Sequence, residues 1–505
     1  MKEFVLPLNK AFSVGLRKDH RVGFNLEAFE LLTNLKPMPF GLATVNEVVN
    51  YFGLVVDWPF PQLFYERGDF LIALQNQIYH VTEGAARLKY MLKDYYSPLT
   101  NTSIWSGGPW HHIDLGIGWI LTNGVSVVSN LGMSERETIY EQHEIPVSTG
   151  CEFRGRVFFG GFDQQRFWCR DWDNFWQVAA EAVNNTNIAA SLNMNANFVW
   201  WSSIGGGDVM MLFDKEKMLN GPAGSTGYNE EDNPYILEIL RRNEMGFMPM
   251  SFPGSILNMK PLQSGVMVYG EHGISMLTPV SSPAPTMSLK HITNQGIASR
   301  SAVGGSLFGH VFVDPAGYLW FVKPDGQVER LGYQEYFYPM LGTDIVVTYN
   351  PHESEYYICN AGHGYVLNGS GLAKVSQQVS SLVNYSGAIV GTRSQTDLGN
   401  VSFTTDKFNF GLPGMKLIGY VEIESFSMQS VKVRLIYFIA NEKYYSNWVE
   451  VIDGAAYLGI SAEVFQIQVQ GSDLGGGSFT GLNVKWKKVD LRFQRGLSVG
   501  ADNVS

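Results

Sequence analysis

The chain has 505 residues, 45% of them hydrophobic, 13% aromatic and only 16% charged, against about a quarter charged in an ordinary soluble domain, a composition that excludes disorder. Its length exceeds the roughly 250–300 residues at which a single core stops growing, so two or three domains are expected. Lys plus Arg number 36 against 47 Asp plus Glu, for a net charge of −11, which argues against a groove that grips nucleic-acid phosphates through clustered cations.

Met1-Lys2-Glu3-Phe4-Val5-Leu6-Pro7 lacks the charged-then-apolar layout of a signal peptide. No window approaches the run of about 18 apolar residues that a membrane span requires. The expectation is a product of the cytoplasm that does not insert into a membrane. After a lead-in over about residues 1–50, short runs of Val, Ile, Phe, Tyr and Trp bounded by Gly, Asn, Asp and Pro recur along most of the chain, the pattern of half-buried strands and tight turns. One unit repeats loosely at 69–81, 118–128, 265–277, 310–322 and 355–367: an apolar strand, a turn containing Gly or Asn, and a second apolar strand. The spacing of about 40–50 residues matches a four-stranded β-propeller blade. A large β-sandwich with unrelated hairpins is the alternative. One long gap in the rhythm holds Arg156-Val157-Phe158-Phe159-Gly160 and the run 198–213.

Helical patterns are few. Residues 172–183 form one candidate. The better one is 233–242, where Asn233 can cap, Pro234 suits the first turn, and Arg241 and Arg242 sit at the negative end. From residue 400 onward the strands lengthen and alternate, including 429–440, 448–452 and 464–469, with a glycine-rich linker at 471–477. The expected fold class is therefore mainly β: a propeller over 1–399 with an appended sandwich-like β domain over 400–505 and few short helices.

Chemistry-bearing motifs are scarce. Cys151, Cys169 and Cys359 are too scattered for a disulfide framework or a metal-type pair. His111-His112 cannot turn both rings to one metal from an extended segment, because neighbouring side chains face opposite ways. There is no G-x-S-x-G elbow and no P-loop, and the Gly205-Gly206-Gly207 run reads as a tight turn. Around Asp314 the segment Phe312-Val313-Asp314-Pro315-Ala316-Gly317 lacks the hydroxyl residue of a sialidase-type Asp box, so Asp314 is expected to bond backbone amides in a hairpin turn. Trp200 and Trp201 alternate in facing, which predicts one in the core and one at an interface. The polar stretch 214–233, with Asp214, Lys215, Glu216, Lys217, Glu230, Glu231 and Asp232, reads as a long functional loop or an ordinary solvated one. No catalytic residue, metal or cofactor is assigned, and the expectation is a protein that is not an enzyme.

Taken together, Cys151-Glu152-Phe153-Arg154-Gly155-Arg156-Val157-Phe158-Phe159-Gly160-Gly161, Trp201-Ser202-Ser203-Ile204-Gly205-Gly206-Gly207-Asp208, Val268-Tyr269-Gly270-Glu271-His272-Gly273-Ile274 and the Asp314 hairpin resemble the propeller portion of short-tailed bacteriophage tail nozzle proteins. That family includes tail tubular protein B and the packaged-DNA stabilisation proteins. Phe403-Thr404-Thr405-Asp406-Lys407-Phe408 resembles the start of the closing β domain of such proteins. The resemblance implies a virion structural protein of the tail, made in the host cytoplasm and assembled as a homo-oligomer, in a hexameric ring. It also implies contacts with a tail adaptor or portal-proximal protein, with fibre or tip proteins as further partners. Double-stranded DNA would be retained and then pass through without being gripped, and the 214–233 loop would narrow the lumen. Acidity suits a wall that repels phosphate, and few charges suit large interfaces. The rival reading is a carbohydrate-binding or glycan-hydrolysing propeller; a protein-binding scaffold is disfavoured by the lack of WD or kelch signatures.

Overall fold

The protein is described by a computed structural model over residues 2–6, 15, 16, 18, 28–48, 62–66, 69–74, 77–82, 85–91, 95–97, 102–104, 109–115, 118–124, 127–130, 141–143, 147–162, 196–202, 204, 246–280, 286–385, 388–393 and 398–489. The chain forms two compact units, one of residues 50–351 with 380–392, the other of 1–49, 352–379 and 393–505. Each is interrupted in sequence, whereas a single cut after residue 399 was expected. The reason lies in strand pairing: the first 49 residues supply strands to the sheet formed by the last hundred, as detailed below.

The larger unit is a β-propeller. Five antiparallel four-stranded sheets follow one another along the chain, each with its strands in sequence order. Blade A runs from Gln62–Glu66 to Ala85–Met91, blade B from His111–Asp114 to Glu141–His143, and blade C from Val147–Phe153 to Gly246–Pro249. Blade D runs from Ile256–Leu262 to Thr286–Thr293 and blade E from Val303–Ser306 to Val328–Gly332. Strand Val346–Asn350 follows, and the pair Val379–Tyr385 and Ala388–Arg393 comes later.

Side chains alternate across a strand, so a sheet packed on both faces must be apolar at consecutive positions. The inner blades obey this: Arg156–Phe162 and Gly265–Gly270 are buried at every residue. Leu121 of blade B packs with Leu71 and Ile78 of blade A, while its neighbour Ile120 packs with Val157 and Phe159 of blade C. Phe158 turns instead toward Met259, Val266 and Val268 of blade D, and Met267 and Tyr269 turn toward Val303 and Phe312 of blade E. Val383 packs on Leu63, Phe70 and Ile72 of blade A, bringing the end of this unit back to its start.

The first strand of each blade is also tied to its neighbour by hydrogen bonds. Thr122 Oγ1 donates to the Val147 carbonyl, Ser148 Oγ to the Ile256 carbonyl at 3.1 Å and Asn258 Nδ2 to the Arg300 carbonyl at 2.6 Å. Ser299 Oγ donates to the Ile345 carbonyl at 3.1 Å, and the Leu63 amide donates to Ser381 Oγ at 3.1 Å. These contacts satisfy backbone acceptors where the blades converge, which apolar packing alone would leave bare.

The second unit is one long curled sheet. Lys2–Leu6 pairs antiparallel with Val464–Lys488, from Lys2 opposite Trp486 to Leu6 opposite Leu482. Phe29–Thr33 pairs with Asn400–Thr405, and Gly41–Thr44 reaches Ser478 and Phe479. The spine is Lys416–Ile439 against Val464–Lys488, paired from Lys416 opposite Lys488 to Phe438 opposite Val464. It shifts register four times, among them beside Ser427 and Ser430, whose φ angles are 53° and 50°. Such irregularities bend a strand and sharpen its twist. The glycine-rich segment 471–477 therefore lies inside a strand, where a linker was expected. Phe410 stacks on Trp486 at 4.3 Å between ring centroids and meets Phe4 edge-on at 5.1 Å, pinning the first residues of the chain to the last strand.

Among the described residues only Gln334–Phe337 is α-helical, followed by a 3-10 turn at Tyr338–Met340. The helices expected at 172–183 and 233–242 lie outside the described residues. All five repeat hairpins are present: three are the middle strands of blades A, B and D, the fourth belongs to blade E, and the fifth pairs Glu355–Cys359 with Gly364–Asn368 in the second unit.

Candidate functional site

The first strands of the blades converge on a two-part cavity. Its wider part, about 860 Å³, is bordered by residues at or just before the beginnings of these strands, including Gln62, Trp110, Arg300, Asp344 and Ser380, and by Glu271 after the second strand of blade D. A narrower part of about 270 Å³ continues along the same strands and is lined by His111, His112, Cys151, Asn258, Lys260 and Arg300, among others. We call the narrower part the waist. Every first strand, together with Val346–Asn350 and Val379–Tyr385, contributes to it. Gly150 lets blades B and C close here, since a Cβ at this position would lie 2.5 Å from Ile113 Cδ1.

The waist is cationic in an acidic chain. Among the described residues no Asp or Glu lines it, whereas Lys260 and Arg300 do. Asn258 and Lys260 are two residues apart on one strand and so share a face. Among the described residues no carboxylate forms an ion pair with Lys260. Burial lowers the Lys260 pKa from its ordinary value, opposed only by the neighbouring Cys151. Arg300 Nη1 comes close to the blade B turn, 2.8 Å from where a Cβ on Gly124 would stand; Gly124 holds a φ of +87°, open to glycine at little cost.

Thr149 Oγ1 accepts from the Met259 amide at 3.0 Å and shares a hydrogen bond with His111 Nδ1 at 3.4 Å, in which either atom can be the donor. His111 Nε2 has no partner among the described residues. Burial, then Lys260 and Arg300, push the His111 pKa down to about 3, keeping the ring neutral at pH 7. His310, behind Lys260, donates from Nε2 to the Pro261 carbonyl at 3.1 Å and accepts from Tyr269 Oη at 2.7 Å. Its pKa is also lowered to about 3, first by burial and then by Lys260. Burial pushes the Cys151 thiol up, which keeps it protonated and unreactive as a nucleophile. Among the described residues the lining offers two cations, two imidazoles and the Asn258 amide.

The residues singled out in sequence fall elsewhere. Trp200 and Trp201 are 1% and 2% exposed. Trp200 packs between blades B and C and Trp201 between C and D, so the expected interface side chain is also core, because a propeller sheet buries both faces. Asp214, Lys215, Glu216, Lys217, Glu230, Glu231 and Asp232 lie outside the described residues. His111 and His112 do face opposite ways: His111 toward Thr149, His112 stacked on Phe64 at 4.9 Å. Asp314 takes its expected turn role, with Oδ1 accepting from the Ala316 and Tyr318 amides at 2.9 and 2.8 Å. Its Oδ2 accepts from Trp320 Nε1 at 2.8 Å, a contact not anticipated. Sequence reading passed over Asn258 and Lys260, although two polar residues inside Ile256-Leu257-Asn258-Met259-Lys260-Pro261-Leu262 interrupt an otherwise apolar strand.

No family model matches the sequence, and no curated protein matches it. Among solved structures, the chain is similar to the extracellular domain of BT4673 from B. thetaiotaomicron at 9% identity and a TM-score of 0.38, covering 81% of this chain and 48% of that one. It thus spans about half the length of that protein. It is similar at 9% identity to BamB from Moraxella catarrhalis, with a TM-score of 0.33 over 72% of this chain and 94% of that one. AztD from Citrobacter koseri is 10% identical, with a TM-score of 0.32 over 82% and 90% of the two chains. No described helix is long and apolar enough to cross a membrane.

Proposed function

We propose that the chain is a structural subunit of a short-tailed phage tail, associating with further copies of itself into a ring of the nozzle type that retains packaged DNA and passes it during ejection. The observation that carries this reading is the distribution of exposed apolar side chains. Nine of the fourteen large ones among the described residues belong to the curled-sheet unit, including Phe426, Tyr445, Ile452, Tyr457 and Leu474. Phe426, Ile452 and Tyr457 are 71%, 68% and 72% exposed. Exposed apolar groups that gather into a contiguous patch mark association sites. The pairing of Lys2–Leu6 with Val464–Lys488 adds a mechanical argument: a load on either strand is borne by a row of backbone hydrogen bonds. The tail assignment itself rests on the sequence resemblance. The acidity of the chain supports a wall that does not hold phosphate.

Negative-stain electron microscopy of the purified chain, alone and mixed with a tail adaptor, tests the proposal. Sixfold rings with a central hole that stack on the adaptor are expected. A persistent monomer that ignores the adaptor and binds or cleaves glycans would overturn it in favour of a carbohydrate-active propeller.

A further inference from the structure

We infer that the waist of the propeller binds a small oxyanion that also carries a hydroxyl group, of the hydrogenphosphate or hydroxycarboxylate type. The inference does not depend on ring formation. Three observations converge on it. First, among the described residues the waist is lined by Lys260 and Arg300 and by no carboxylate, in a chain whose net charge is −11. Lys260 is half-buried, a cation partly withdrawn from water favours a counter-charge, and no carboxylate among the described residues pairs with it. Second, His111 lines the same space and its Nε2 has no partner among the described residues. Third, Asn258 is 3% exposed, and its Oδ1 has no partner among the described residues. The amide cannot be reversed to relieve this, because its Nδ2 donates to the Arg300 carbonyl at 2.6 Å.

The ligand chemistry follows from these groups. An ammonium with no carboxylate partner among the described residues calls for a negatively charged acceptor with several lone pairs, and a neutral imidazole nitrogen can exchange a hydrogen bond with it. A fixed carbonyl-type oxygen beside them calls for a donor on the same molecule. Hydrogenphosphate and hydroxycarboxylates offer both, and chloride offers neither the shape nor the donor. A volume of about 270 Å³ accommodates such a solute, whereas one water needs only about 10–15 Å³ by the same measure. The wider part of the cavity, bordered by Trp110, Glu271 and Asp344, gives it a way in.

Isothermal titration calorimetry on the full chain tests the site, with sodium phosphate and sodium malate as separate probes in a buffer held at constant chloride ionic strength. One-site binding of at least one probe is expected, and the tighter of the two identifies which kind of oxyanion the waist prefers. Lys260→Met should weaken that binding at least tenfold, and Lys260→Arg should retain it. Asn258→Asp, which puts a negative charge in place of the fixed acceptor, should abolish it. Circular dichroism spectra matching the parent would establish that each variant is folded. Failure of both probes to bind the parent chain overturns the inference, and so does unchanged binding by a folded Lys260→Met.

Discussion

The two units solve the burial problem in different ways. In the propeller each sheet is sandwiched between two others, so consecutive residues such as Phe158 and Phe159, or Trp200 and Trp201, enter separate cores. In the curled sheet the long strands alternate between buried and partly exposed positions; Lys416–Ile439 begins buried, half-buried, buried, half-buried. The first arrangement leaves five large apolar side chains exposed among the described residues, including Ile204, Phe308 and Tyr338. The second leaves Phe426, Ile452 and Tyr457 exposed. A propeller is thus suited to enclose a small polar space at its centre, and an open curled sheet is suited to meet other chains.

Substitutions separate these designs, and the largest effect is expected between blades. Trp200→Ala removes a side chain shared by blades B and C and should cost about 3–5 kcal/mol, read by chemical denaturation. In the other unit, Lys36 is 6% exposed and bonded to Glu353 and, at 2.8 Å, to Glu355. Lys36→Met would leave two carboxylates sharing a buried site and should cost about 3 kcal/mol. Burial raises the Glu355 pKa to about 7 even against Lys36, so the loss in this variant should be partly recovered at pH 5, where Glu355 is protonated. Asp314→Ala strips two amides and an indole N–H of their acceptor and should cost about 2 kcal/mol. Asp314→Asn should cost less, since one oxygen can still serve the turn.

The pH dependence sharpens the contrast further. His310 has a folded pKa of about 3 against 6.5 for the ordinary side chain. Below pH 6.5 the unfolded chain takes up a proton that the folded chain refuses, so stability falls as pH drops from 6.5 toward 3. Glu355 works with the opposite sign between about 7 and 4.5, because the folded state protonates first. Comparing the parent chain with His310→Gln isolates the histidine: the parent's stability relative to the variant should shrink by about 1.4 kcal/mol per pH unit below 6.5. The smallest stability effect is expected at Phe426→Ser, within about 0.5 kcal/mol, while self-association measured by analytical ultracentrifugation should weaken clearly. An unchanged association would place the contact elsewhere.

Period and patterning made much of the fold legible. The hairpins at 69–81, 118–128, 265–277 and 310–322 carried the blade rhythm because a sheet buried on both faces must be written as short unbroken apolar runs between turn residues. The Asp314 turn was legible for the same local reason, since an Asx side chain bonds amides only two to four residues away. Domain membership was not legible: nothing in Lys2–Leu6 or Phe29–Thr33 announces partners about 370 residues distant or more. The same holds for the facing of Trp200 and Trp201, which one alternating strand cannot decide without its neighbours. It holds most for the waist, where His111 comes from blade B, Asn258 and Lys260 from blade D, and Arg300 from the segment leading into blade E. Local sequence determined the strands, the turns and the β class of this protein, because those depend on residues close along the chain. Tertiary structure alone decided which faces were buried, how the termini were joined and which polar groups met at the centre, because those depend on residues brought together only when the blades close.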